Sequence, residues 1–295
     1  MTMPLAFRVP TVLAGIALGT LFATPGLAED AEANLAGVVS SIETDLDARV
    51  GIVVKDTATG WQWGYREDER FLMASTFKSV LCGAVLERVD EAELSLSEPI
   101  QVEASDILDY APVAETRVGA TMTIGELCLA TLDISDNTAA NLLIDRLGGP
   151  GAVTDFALGL GDEVTRLDRM EPELNAPAAD ERFDTTSPAA MARTWEAMLL
   201  GEALSPDSRA QLADWMRLGG VTGALLRASA PDDWLVLDKS GAGEGSRNLV
   251  AMVTPPDTAP YVVSIYVAET DADFATRNEA VAQIGAAIVD LIRAR

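Results

Sequence analysis

The sequence predicts an α/β (α+β) protein whose sheet is built from both ends of the chain. Three observations support this: strand-like segments lie toward the two termini, helical periodicity fills the middle, and no repeat or low-complexity linker interrupts the chain. With 295 residues, 48% of them hydrophobic, the chain can bury a large core. The predicted catalytic domain covers 29–295, with an α/β lobe over 29–72 and 218–295 and a helical lobe over 73–217.

The elements follow from hydrophobic spacing and turn residues. Residues 30–48 have one apolar stripe at helical spacing, and strands are predicted over 50–54 and 61–65, around the turn 56–60. Further helices are predicted, in order, over 77–89, 123–133, 137–147, 151–160, 188–200 and 206–217. The tail is predicted to contain strands over 234–237, 248–253 and 261–268, then a helix over about 274–293.

The first 28 residues have the pattern of a secretory leader. Arg8 precedes the apolar run 9–23, and Gly26-Leu27-Ala28 gives a small-x-small cleavage site. The alternative is an N-terminal membrane anchor, but the run is short and interrupted. The sequence therefore predicts cleavage after Ala28, a periplasmic protein and no membrane anchor in the mature form.

Charge and histidine content exclude several functions. The leader holds one Arg and no acid, so the mature chain has 46 acidic residues against 20 Lys and Arg, a formal charge of −26. That sign excludes nucleic acid as a partner, because phosphates require basic surfaces. It fits a solvated surface and, as a weaker interpretation, a saline medium. The chain has no His, which excludes Ser-His-Asp and Cys-His catalysis and His-ligated zinc. We predict no metal and no cofactor.

The chain contains two cysteines, Cys82 and Cys128. In an exported protein two cysteines most simply form one disulfide, which would stabilise the fold by roughly 4 kcal/mol in the chain-entropy model. The alternative is a pair of buried free thiols.

Ser75-Thr76-Phe77-Lys78 opens the helix predicted over 77–89. The i, i+3 spacing places the hydroxyl and the amine on one face, where a deprotonated lysine could activate the serine. Taken alone, the pattern favours the simpler interpretation, a helix N-cap serine and a surface lysine. The chain has only three lysines, Lys55, Lys78 and Lys239, among 21 basic residues, and Lys can act as a base where Arg cannot. Two of the three lie in motifs, while Lys55 is predicted to be structural.

Two further motifs and one loop supply candidate partners. Ser135-Asp136-Asn137 precedes a helix, where it could be an ordinary N-cap, or relay a proton and hold a substrate amide. Lys239-Ser240-Gly241 is predicted to follow strand 234–237 and to open a turn, with a cation and a hydroxyl for an anionic group. Glu171 lies in a long Pro-rich loop over about 166–184, where a carboxylate could activate water. An acidic surface loop is the alternative.

The three motifs together resemble class A β-lactamases and penicillin-binding proteins, whose signature is Ser-x-x-Lys, Ser-Asp-Asn and Lys-Thr-Gly. Stretches 135–143, 164–175 and 239–244 are similar to the TEM and SHV type. The resemblance implies a serine β-lactamase/D,D-peptidase-like fold, with an antiparallel five-stranded sheet, flanking terminal helices and an inserted all-helical lobe. It also places Cys82 and Cys128 at the positions of that group's disulfide.

The resemblance also implies roles for individual residues. Ser75 would be the acylated nucleophile, lying at a helix N-terminus within hydrogen-bond reach of Lys78. Either Lys78 or Glu171 would be the acylation base, Glu171 would drive deacylation, and Ser135 would protonate the lactam nitrogen. The substrate-binding residues would be Asn137, Asn175, Lys239, Ser240, Gly241, Ala242, Arg247 and Tyr110. The N–H groups of Ser75 and Ala242 would form the oxyanion hole. Arg169 and Asp184 would pair across the loop, and Glu171-Pro172 would be a cis peptide.

The implied function is hydrolysis of penicillins and early cephalosporins, giving antibiotic resistance, by a monomer. The sequence departs from the pattern in having Ser240 where the motif has Thr, and a turn one residue shorter than in the TEM type before Arg247. The alternatives are a penicillin-binding D,D-peptidase and a non-hydrolytic β-lactam sensor. Glu171 argues against the first, because such enzymes lack a deacylating base.

Overall fold

The structure, a computed structural model, describes residues 25–295, so most of the predicted leader lies outside the described residues. The α-helices within this range are α1 Pro25–Leu46, α2 Phe77–Asp90, α3 Ile124–Leu129, α4 Asn137–Leu147, α5 Gly151–Gly159, α6 Pro188–Leu200, α7 Pro206–Met216 and α8 Phe274–Arg293. The strands are β1 Arg49–Asp56, β2 Gln62–Tyr65, β3 Phe71–Leu72, β4 Pro99–Gln101, β5 Thr121–Thr123, β6 Thr185–Thr186, β7 Leu235–Gly243, β8 Ser246–Thr254 and β9 Tyr261–Ala268.

Five strands form one antiparallel sheet in the order β2-β1-β9-β8-β7. The two ends of the chain meet along the β1–β9 ladder, where Val53 pairs with Ser264. The predicted fold class is therefore confirmed. Two short pairs, β3 with β6 and β4 with β5, were not predicted, because segments of two or three residues carry no measurable period.

The sheet is covered on both faces, by α1 and α8 on one side and by the helical lobe on the other, and alternate residues of β8 pack into these two layers. Leu249, Ala251 and Val253 join the cluster that packs against α1 and α8, while Val250 and Met252 join the cluster beneath the helical lobe. Alternate residues of a strand point to opposite faces, so a sheet between two layers needs apolar side chains at every position. This burial makes the sheet a fixed wall for the site at its β7 edge.

The helical lobe is organised around α2, whose first ten residues, 77–86, are all buried. A helix with no exposed face at its start presents its first turn to the interior, and Ser75 lies directly before it. No helix within residues 25–295 is both long and apolar enough to cross a membrane.

The disulfide predicted between Cys82 and Cys128 is absent from the structure, where both residues are buried free thiols. The Sγ atom of Cys82 lies 3.9 Å from the backbone oxygen of Cys128, an S–H···O contact in place of a covalent bond. Burial, together with the neighbouring Cys82 thiol, raises the pKa of the Cys128 thiol well above its usual value. The Cys128 thiol therefore stays protonated, and the pair corresponds to the free-thiol alternative.

Candidate active site

Ser75 lies in the 3₁₀ turn Ala74–Thr76 that leads into α2. Ala74 has φ +43°, a conformation that costs a non-glycine residue about 1–3 kcal/mol and is concentrated at functional sites. The turn lies against β7 at Gly241, where an added Cβ would come within 3.0 Å of the Ser75 backbone nitrogen. Only glycine allows this approach, so Gly241 fixes the distance between the nucleophile and the sheet.

Lys78 follows Ser75 by three residues, in the first turn of α2, and is fully buried. Its Nζ donates to Asn137 Oδ1 at 2.6 Å and to the backbone oxygen and Oγ of Ser135 at 2.8 and 3.4 Å. It also lies 3.2 Å from Glu171 Oε1. Burial lowers the pKa of Lys78, and the Glu171 charge partly opposes that shift. Lys78 therefore contacts three of the predicted site residues.

The expected hydrogen bond between Ser75 and Lys78 is absent among the described residues. The Ser75 hydroxyl instead donates to Glu171 Oε1 at 3.5 Å, because the Lys78 amine is taken by Glu171, Ser135 and Asn137. The Ser75 hydroxyl and the Lys78 amine are therefore connected through the Glu171 carboxylate.

Glu171 is 2% exposed and is held from several sides. Asn175 Nδ2 donates to its Oε2 at 2.5 Å. Its backbone N–H donates to Asn141 Oδ1 at 3.0 Å, and its carbonyl accepts from Asn141 Nδ2 at 2.8 Å. Asn141 was not predicted as a site residue, although its position one turn beyond Asn137 on α4 indicates that it faces the same way.

The loop over 166–184 is closed by the predicted ion pair, with Arg169 Nε 2.5 Å from Asp184 Oδ2. Asp184 is fully buried and also accepts the backbone N–H groups of Asp168 and Arg169. The Glu171-Pro172 peptide is cis, as the resemblance implied. The Arg169–Asp184 ion pair and the backbone hydrogen bonds to Asp184 hold together the two ends of the loop that carries Glu171.

Ser135 has φ +64° and lies between the two motif lysines, with its Oγ 3.4 Å from Lys78 Nζ and 3.0 Å from Lys239 Nζ. Asp136 next to it is the N-cap of α4, accepting from Ala139 N–H at 2.8 Å. The N-cap interpretation is therefore confirmed for Asp136, while Ser135 and Asn137 face Lys78 and their catalytic role stays a prediction. The backbone oxygen of Tyr110 accepts from Asn137 N–H at 2.9 Å, which ties the Tyr110 segment to this turn.

Lys239, Ser240 and Gly241 lie within strand β7, which continues to Gly243. The prediction that the motif follows the strand was wrong: the strand continues through it, and the Gly-rich turn comes after two further residues, at 244–245, with Gly245 at φ +63°. Lys239 is buried and donates to Ser135 Oγ and, at 2.8 Å, to the Ser240 carbonyl. Burial first, then the nearby Lys78 and Arg247 charges, lower the pKa of Lys239 well below its usual value.

Arg247 pairs with Ala242 across the β7–β8 hairpin, so the shortened turn still points its side chain at the site. Its Nη1 donates to the Gly241 carbonyl at 3.0 Å, its Nε donates to Asn278 Oδ1 at 3.2 Å, and its guanidinium lies 5.3 Å from the Phe274 ring centroid. Burial and the adjacent Arg277 lower the pKa of Arg247 to about 10, so it remains charged at neutral pH.

These groups surround one cavity of about 380 Å³. The predicted residues that line it are Ser75, Tyr110, Ser135, Asn137, Asn175, Ser240, Gly241, Ala242 and Arg247. Lys78, Glu171 and Lys239 are buried behind this lining. Val221 and Phe274 also line the cavity and were not predicted. Within residues 25–295 no cluster of three or more acidic or cysteine side chains could hold a metal ion.

The geometry defines an active-site-serine enzyme in which a lysine and a carboxylate replace histidine. Comparison with known proteins agrees: the model of the Beta-lactamase enzyme family matches residues 34–292. The chain therefore belongs to that family and is a class A β-lactamase.

The relatives are similar along nearly the whole chain. A β-lactamase of Rhodobacter capsulatus is 54% identical over 282 residues, covering 96% of each chain. β-Lactamase AER-1 of Aeromonas hydrophila is 44% identical over 271 residues, 91% of this chain and 89% of that one. β-Lactamase CARB-3 of Pseudomonas aeruginosa is 42% identical over 254 residues, 86% of this chain and 88% of that one. The class A assignment is confirmed, while likeness to the TEM and SHV group in particular stays a prediction.

Solved structures agree with the fold. A β-lactamase from Xanthomonas campestris pv. campestris has a TM-score of 0.86 at 43% identity, with 89% of this chain and 98% of that chain covered. An ancestral class A β-lactamase has a TM-score of 0.83 at 48% identity, with 87% and 99% covered.

Proposed function

We propose that the enzyme hydrolyses the β-lactam amide of penicillins and early cephalosporins through a Ser75 acyl-enzyme that Glu171-activated water releases, and that it thereby gives antibiotic resistance. The observation that carries this mechanism is a continuous series of contacts from Ser75 to Glu171, Lys78 and Ser135, at 3.5, 3.2 and 3.4 Å. This series connects the attacking oxygen with a hydroxyl that faces the substrate cavity.

In acylation the Ser75 oxygen bonds to the lactam carbonyl carbon and its proton passes to Glu171. Lys78 takes that proton from Glu171 while giving one of its own to Ser135, and Ser135 protonates the lactam nitrogen as the C–N bond breaks. Glu171 and Lys78 are then in their starting protonation states. In this scheme Glu171 is the acylation base and Lys78 the relay.

The substrate is held by the remaining residues. The N–H groups of Ser75 and Ala242 form the oxyanion hole for the charge that develops on the carbonyl oxygen. Lys239, Ser240 and Arg247 receive the substrate carboxylate, Gly241 allows the lactam to approach the strand, Asn137 binds the side-chain amide, and Tyr110 forms a wall of the cleft.

Deacylation needs a water held by Glu171 and Asn175. Asn175 Nδ2 already binds Glu171, while its Oδ1 is buried with no hydrogen-bond partner in the protein. A buried acceptor without a partner is costly, and a bound water donating to it removes that cost. Glu171 takes a proton from this water, the hydroxide attacks the ester carbonyl, and Ser75 leaves with a proton.

The mature enzyme is proposed to be a periplasmic monomer, released by cleavage after Ala28. The formal charge of −26 for the mature chain opposes self-association and favours solubility. Comparing the N-terminal sequence of the protein from the periplasm and from whole cells tests the export proposal. A protein that retains residues 1–28 in the membrane fraction would contradict it.

A chromogenic cephalosporin and intact-mass measurement test the mechanism. Residues 29–295 should turn the substrate over, whereas Glu171→Gln should lose about 10²–10⁴-fold in kcat. The acyl adduct that the variant still forms, slowly, should persist because the base for deacylation is gone. Glu173→Gln is the matched control, because Glu173 is exposed two residues along the same loop. A stable adduct on the parent enzyme would instead indicate a penicillin-binding protein or a sensor.

A further inference from the structure

Phe274 is a large apolar residue in an unusual place. It is the first residue of α8, it is 54% exposed, and it lines the substrate cavity. The N-cap Asp273 fixes the helix start by accepting from Thr276 N–H at 2.8 Å. An aromatic ring held at a cavity mouth by a capped helix offers a preformed apolar surface at little entropic cost.

The position of the ring relative to Arg247 indicates what it would contact. The guanidinium lies 5.3 Å from the ring centroid, in the range of a cation–π contact, and is further held by Asn278 and the Gly241 carbonyl. Under the proposed function Arg247 receives the substrate carboxylate. Phe274 therefore lies beside the carboxylate end of the ligand.

In a cephalosporin the ring carbon next to the carboxylate-bearing carbon carries the variable C3 substituent. We propose that Phe274 is a specificity-determining residue that contacts this substituent and favours substrates carrying a flat aromatic or conjugated group there. Val221 adds apolar surface to the same cavity. Offset or edge-to-face contact between aromatic groups supplies the preference. This inference rests on the proposed position of the substrate carboxylate.

Two cephalosporins with the same acyl side chain test it, one with an arylvinyl group at C3 and one with methyl. The ratio of kcat/KM for arylvinyl over methyl should fall about tenfold in Phe274→Ala and recover in Phe274→Tyr. Leu158→Ala is the matched control, because Leu158 on α5 is also 54% exposed and does not line the substrate cavity. Its ratio should equal that of the parent.

Two results would overturn the proposal. An unchanged ratio in Phe274→Ala means that the ring makes no selective contact. An equal fall for both substrates means that the ring only supports Arg247. Arg247→Gln separates this question from the proposed function, because it should weaken both substrates alike. If Arg247→Gln weakens neither, the carboxylate position is wrong, and the Phe274 ratio is still measured independently. Thermal unfolding confirms that each variant is folded.

Discussion

The helical wall of the cleft (Ser75, Lys78, Ser135 and Glu171) and its sheet wall (Lys239, Ser240 and Arg247) handle charge in opposite ways. In the helical wall the Lys78 cation lies 3.2 Å from the Glu171 carboxylate, and both are buried. In the sheet wall neither Lys239 nor Arg247 has a carboxylate within 4.0 Å among the described residues, although the chain carries 46 acids. Proton transfer requires an acid and a base in contact, whose opposite charges balance each other when both are buried. Binding an anionic substrate requires cations that are not already paired with a carboxylate of the protein.

Among the residues that support the two walls, the largest effect is expected from Asn141→Ala, next to the helical wall. The substitution leaves the Glu171 N–H and carbonyl without their partners, at a cost of about 1–3 kcal/mol for each buried group. It also frees the backbone that aims the carboxylate, so kcat should fall about 10²-fold, with acyl-enzyme detected by mass. A raised KM with unchanged kcat would break the comparison, because it would assign a helical-wall residue to binding.

Arg247→Gln in the sheet wall should raise KM, whereas Asn141→Ala should lower kcat. Loss of a charged hydrogen bond of about 1.5–3 kcal/mol predicts a fall in kcat/KM of roughly 10- to 100-fold, expressed in KM. Steady-state kinetics on one penicillin measure it, with Arg88→Gln as an exposed control on α2. A loss confined to kcat would contradict the division between the walls.

Gly243→Ala probes the contact between the walls. An added Cβ would lie 2.7 Å from the Asn175 carbonyl oxygen, so loop 166–184 must shift. Overpacking predicts a loss of about 1–3 kcal/mol in unfolding free energy and a several-fold slower deacylation, measured by urea titration and by decay of the acyl adduct. Gly223→Ala is the control, because an added Cβ there meets nothing within 4 Å. Equal stability of the two variants would rule out this coupling.

Lys239→Arg should have the smallest effect on activity, and it tests whether the charge of the sheet wall controls the pH dependence of kcat/KM. The lowered pKa of Lys239 means that its charge is present at low pH and is lost at a lower pH than that of an ordinary lysine. Arg keeps its charge, so the alkaline fall of kcat/KM should move to higher pH in the variant. An unmoved alkaline limb would show that another group controls it.

The sequence predicted the long elements because each has a clear apolar period and a turn or cap at its ends. It placed α2, α4 and α8 within three residues of their observed ends. Errors arose where local chemistry has two interpretations: Lys239-Ser240-Gly241 contains the Gly of a turn but lies in a strand, and predicted helix 123–133 ends at Leu129 in a π-helical turn over 130–134. Tertiary packing decides both cases.

The motif residues could be predicted from short spacings, whereas their supports could not. Asn141 and Phe274 belong to no motif, and each acquires its role only when a distant segment is brought against it. The Ser75–Glu171 contact joins residues 96 positions apart, which no local pattern reports. The free thiols likewise depend on an atomic distance that two cysteines in a sequence do not specify.

The burial of two of the three lysines has a practical consequence for chemical labelling. Lys78 and Lys239 lie beneath the substrate cavity, while Lys55 is partly exposed and paired with Glu196. Amine-reactive dyes or surface-coupling reagents should therefore modify the folded enzyme mainly at Lys55 and the N-terminal amine, both outside the cavity. With so few accessible amines, the enzyme could be immobilised with its cleft open to solution.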